Sequence, residues 1–77
     1  MQREDNYLKY IEVPEWVILR FQDLVSKTGG KKEFCEKFKI GEAYMSLLWN
    51  GKRHPPEGLR AALGVKIVVT PIKYEPI

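Results

Sequence analysis

The chain has 77 residues, a formal net charge of +3 and a pI near 9.1. At this length residues 1–77 form one domain, near the size where roughly 60% of the unfolded surface is buried and stability is marginal. One cysteine excludes an intrachain disulfide, one cysteine with one histidine cannot supply four protein ligands to zinc, and the longest apolar run, Trp16 to Leu19, is too short to span a bilayer.

The acidic, polar start MQREDN is unlike a secretory signal, so the expectation is an intracellular, cytoplasmic protein with no membrane attachment. The sequence has no phosphate-binding glycine loop, paired-carboxylate site or metal-ligand spacing. It therefore reads as a non-enzyme needing no cofactor or metal. The positive balance permits a polyanionic partner, but many small soluble proteins share it, and the positions of the charges must decide.

In chain order, Tyr7 to Val13 is rich in aromatic and β-branched residues and predicts a short strand. Pro14 ends it and, with Glu15, starts a helix expected to run to about Lys27. Val17, Phe21, Leu24 and Val25 form the inner stripe of that helix, and Arg20, Gln22, Asp23 and Lys27 its outer side. Gly29-Gly30 stops it.

The stretch from Gly29 to Gly51, GGKKEFCEKFKIGEAYMSLLWNG, organises the rest. Phe34, Cys35 and Phe38, then Ile40, then Met45, Leu48 and Trp49 keep helical spacing on both sides of an interruption at Lys39 to Gly41. Two short helices joined by a tight turn follow from that pattern. Gly51 to Pro56 is a loop that the proline pair keeps from resuming the helix. A short helix fits Glu57 to Leu63, with Leu59, Ala62 and Leu63 closing the bottom of the core and Gly64 as its C-cap.

Val65 to Thr70 carries the strongest strand signal in the chain, and Pro71 weakens any continuation. A lone strand cannot satisfy its backbone groups. Its partner is Tyr7 to Val13, its own copy across a two-fold axis, or both at once, with Val65, Ile67 and Val69 on one face and Val68 and Ile72 on the other. The expectation is a homodimer paired on Ile67, Val68 and Val69.

The Gly29–Gly51 unit resembles the helix-turn-helix of the Cro and lambda-type repressor family of small phage regulators. Cys35 takes the small position of the first helix, Ile40 the apolar position after the turn, Met45 and Leu48 the inner face of the second helix, and Asn50-Gly51 its end. Lys39 stands where that family usually places glycine, a site that often adopts left-handed backbone at a cost on the order of 1 kcal/mol for other residues. The resemblance implies a mainly α domain with short N-terminal and C-terminal strands, in a protein that works as a dimer on DNA in a bacterial host cell.

If the unit binds duplex DNA, the second helix enters the major groove, and Glu42, Ala43, Tyr44, Ser46 and Leu47 face base edges. Glu42 suits a cytosine amino group, Ala43 or Leu47 a thymine methyl, and Tyr44 or Ser46 a base or phosphate. Lys31 and Lys32 at one end, and Asn50, Lys52 and Arg53 at the other, are the expected phosphate contacts. His54 reads as an exposed loop residue that adds a phosphate contact when protonated. Cys35, Trp16 and Trp49 read as packing residues.

The expected function is sequence-specific transcriptional repression by occupying a promoter or operator. The alternative is a helix-turn-helix scaffold for a protein partner such as host transcription machinery, because no Arg or Lys lies between Gly41 and Asn50. A DNA-bending accessory factor in phage recombination is a third reading.

Overall fold

The computed structural model describes residues 8–69 and 71–77. Four α-helices lie among them, α1 (Glu15–Thr28), α2 (Lys31–Phe38), α3 (Glu42–Trp49) and α4 (Glu57–Leu63), followed by an antiparallel hairpin of β1 (Val65–Val69) and β2 (Ile72–Pro76). The chain is thus mainly helical, with a two-stranded sheet at its C-terminal end. None of the described helices is long and apolar enough to cross a membrane.

Pro14 is extended (φ −68°, ψ 153°) and its carbonyl accepts from Val17 and Ile18, which starts α1. Val17, Phe21 and Val25, four residues apart, fall on one face and are buried. Gly29 ends the helix in a left-handed conformation: its N–H donates to Ser26 O and that of Gly30 to Val25 O, so two end carbonyls are satisfied.

Phe34 has no exposed surface and joins the helices through its ring. Phe21 of α1 meets it edge-on at 5.2 Å, and Phe38 stacks on it at 4.3 Å. Met45 and Leu48 bring α3 into the same core, and Leu59 and Leu63 bring α4. The inner stripe and the closing role of α4 follow the sequence pattern, with one exception: Ala62 is exposed and Arg60 is buried in its place. Arg60 Nη1 donates to Pro55 O at 2.7 Å, so its guanidinium satisfies a carbonyl of the proline loop.

Lys39 occupies the left-handed region (φ 58°, ψ 49°) and is the one non-glycine residue with positive φ among those described. Its N–H and that of Ile40 both donate to Cys35 O, which closes α2 and turns the chain toward α3. We expect Lys39→Gly to stabilise the fold by about 1 kcal/mol, seen as a melting temperature higher by roughly 4–8 °C. A lower melting temperature would show that unfolded-state entropy outweighs the relieved strain.

The N-terminal strand is not formed. Leu8–Tyr10 makes a 3₁₀ turn, residues 12–14 have no regular structure, and Tyr7 lies outside the described residues. The partner of β1 is β2, in register Val65↔Pro76, Lys66↔Glu75, Ile67↔Tyr74, Val68↔Lys73 and Val69↔Ile72. A hairpin closes across two residues, whereas pairing with Tyr7 to Val13 would close more than fifty, an entropic difference on the order of 2–3 kcal/mol. Pro71 lies in the turn, where its missing N–H is harmless, and Thr70, the last residue of the predicted strand, lies outside the described residues.

Opposed residues share a face, so Ile72 sides with Val69 rather than with Val68. The inner face buries Val65 and Tyr74, half-buries Ile67 and Ile72, and leaves Val69 42% exposed.

Candidate nucleic-acid interface

The helix-turn-helix presents one continuous surface. Lys31, Lys32, Cys35 and Glu36 of α2 face Glu42, Met45 and Ser46 of α3 across an open groove of about 560 Å³. Lys31 and Lys32 follow Gly30, and no side chain caps the first turn of α2, so its N–H groups point out beside two ammonium groups. Glu36 lies in the same groove and was not singled out from the sequence, where an exposed glutamate in a short amphipathic helix carries no signal.

On α3, Glu42, Ala43, Ser46 and Leu47 are exposed while Met45 and Leu48 are buried. Residues 42, 43, 46 and 47 follow the i, i+1, i+4, i+5 spacing that keeps them on one outer face. Tyr44 stands apart from that face: it is half-buried against the core, and the Arg53 guanidinium lies over its ring at 5.4 Å.

The far end of α3 is built by Gly51. With φ +69°, it lets its own N–H reach Leu48 O and the Lys52 N–H reach Leu47 O at 2.8 Å, which folds Lys52 and Arg53 back beside the helix. A Cβ at position 51 would run into the terminal methyl of Ile18 as well as straining the backbone. Asn50 is exposed, and its Nδ2 donates to Ser46 O at 2.9 Å. One amide hydrogen thus closes the helix, and the second is left to donate.

Lys31 Nζ sits 4.4 Å from the centre of the Trp49 ring, so the start of α2 touches the end of α3. Trp49 in turn is held by Gln22, whose Nε2 donates to its carbonyl at 3.1 Å. Lys31, Lys32, Lys52 and Arg53 are all exposed, and none is ion-paired with a described residue. The described ion pairs, Lys27–Asp23 and Lys73–Glu75, lie elsewhere. The Asp23 carboxylate, by hydrogen bonding and charge, raises the Lys27 pKa, and both groups stay in solvent.

His54 departs from its expected place. It is half-buried and engaged at both ring nitrogens: Nε2 to Ile11 O at 2.9 Å and Nδ1 to Tyr74 Oη at 2.7 Å, with the two rings stacked 5.8 Å apart. A carbonyl only accepts, so Nε2 carries the proton, and in the neutral ring Nδ1 accepts from the tyrosine hydroxyl. The residue pins the Lys52-Arg53 loop to the hairpin, and both its ring nitrogens are engaged within the protein. No local sequence signal reveals this, because both partners are distant in the chain. We expect His54→Ala to lower stability by about 2 kcal/mol and Tyr74→Phe by about 1 kcal/mol in urea unfolding. Losses near zero in both would mean that the bridge does not hold the loop.

Beyond the chain itself, no family model, no functionally described protein and no solved structure matches it.

Proposed function

We propose that the protein is a sequence-specific duplex-DNA-binding regulator that inserts α3 into the major groove and acts by occupying a promoter or operator. The observation that carries this reading is the pairing of an outward face on the second helix of a helix-turn-helix with exposed cations beside it, Lys31 and Lys32 at the start of α2 and Lys52 and Arg53 in the loop after α3, none ion-paired with a described residue. Cations so spaced flank a groove-bound helix with phosphate contacts.

The working unit in this reading is a homodimer paired along β1. Among the described residues β1 has one strand neighbour, and Ile67, Val68 and Val69 keep apolar surface on it. Sedimentation equilibrium should report twice the chain mass, reduced toward one chain by Val68→Glu. A single-chain mass for both proteins would remove the dimer.

A second reading rests on a specific feature: Glu36 and Glu42 offset Lys31 and Lys32 in the groove, and Leu47 is 38% exposed beside it. Such a surface suits a protein partner, such as host transcription machinery. Selection from random duplex oligonucleotides with the purified protein separates the two. An enriched palindrome supports the dimeric regulator; no enrichment, with a defined transcription protein bound in its place, supports the scaffold.

A further inference from the structure

We infer that α3 reads pyrimidines, through the methyl group of thymine and the amino group of cytosine, and makes no bidentate contact to a purine; this rests on the DNA-binding reading above. Bidentate readout of guanine needs Arg or Lys, and of adenine Asn or Gln. The outer face of α3 holds none of these. It offers the acceptor-only carboxylate of Glu42, the hydroxyl of Ser46, and the methyl-bearing side chains of Ala43 and Leu47.

The nearby donors lie off this face. Arg53 lies over the Tyr44 ring, Lys31 over the Trp49 ring, and the Asn50 amide on Ser46 O. What remains matches the pyrimidine edge of the major groove: cytosine N4 donates to a carboxylate with no acceptor beside it on its own base, whereas adenine N6 lies beside the acceptor N7, which repels a carboxylate, and the thymine C5-methyl is the one apolar group there. A carboxylate set among phosphates is repelled unless it accepts a hydrogen bond, so Glu42 penalises every base that offers it no donor. Leu47, 38% exposed in the free protein, gains by covering a methyl group.

The test uses the duplex most enriched from the random pool, its uracil-substituted counterpart, which lacks only the methyl groups, and the full-length chain, titrated by fluorescence anisotropy. The expected result is a loss of about four-fold in affinity per contacted methyl removed, absent in Leu47→Ala. Glu42→Gln should shift selection away from cytosine toward adenine at one position, because its amide can donate as well as accept. Residue 47 is on the surface, and the wild-type comparison of the two duplexes needs no variant to fold. Sequence-specific binding that is equal on thymine and uracil duplexes and unchanged by Glu42→Gln overturns this inference and leaves DNA binding standing. A chain that binds no duplex overturns both.

Discussion

Phe34→Ala is expected to unfold the domain at physiological temperature, or to lower its melting temperature by at least about 12 °C. Truncating a buried phenylalanine removes about 3–5 kcal/mol, and total stability in a domain of this size is on the order of 5 kcal/mol. Phe34 stands at the high end of that range because its surroundings cannot collapse onto the space. Its ring is held between Phe21 of α1 and Phe38 one turn along α2, so both aromatic contacts are lost together with the burial. Leu47→Ala, on the exposed face of α3, serves as the control and should change stability by less than about 0.5 kcal/mol. Circular dichroism melts of both variants make the measurement. A shift below about 4 °C for Phe34→Ala would mean that the helices are held together elsewhere.

Affinity for DNA is expected to fall by three orders of magnitude or more, roughly, between 50 and 200 mM salt. Four exposed cations per chain, Lys31, Lys32, Lys52 and Arg53, give a dimer eight phosphate contacts and a slope of log K against log salt of about −7. One chain acting alone would give about half that slope, so the measurement also reports the working unit. Lys52→Ala with Arg53→Ala should make the slope shallower by about 3 to 4 in the dimer and weaken random and selected duplexes alike. A slope near zero would contradict the electrostatic model. A slope unchanged in the double variant would take the loop after α3 out of the contact. Arg53 makes that second result informative, because the ring of Tyr44 fixes its guanidinium beside the helix.

Much of this architecture could be read along the chain. The apolar spacing from Phe34 to Trp49 located both helices of the motif and the turn between them, and the lysine in the glycine-preferring position takes the left-handed backbone that the resemblance implies. Residues Val17, Phe21 and Val25 were legible as an inner stripe because helical period is a local property. The base-facing candidates were only partly separable. Periodicity removes Met45 and Leu48, but it does not reveal that Tyr44 is turned aside under Arg53 or that Asn50 donates back to Ser46 O.

What went unread was decided between distant residues. Val65 to Thr70 had Tyr7 to Val13 or its own copy as candidate partners, yet Ile72–Pro76 follows β1 across a two-residue turn and pairs with it at far lower entropic cost than Tyr7 to Val13 would. His54 read as a solvent residue because its type usually is, and Arg60 carried no signal. Each is drawn inward by a carbonyl or hydroxyl that the sequence places far away or in a proline loop. The sequence by itself determined the helices, the turn at Lys39 and the basic margins of α3, since these depend on residues within a few positions of one another. Only the tertiary structure decided the partner of β1, the anchoring of the loop by His54 and Tyr74, and the turning aside of Tyr44 from the outer face of α3, because each depends on which surfaces meet once the chain is closed.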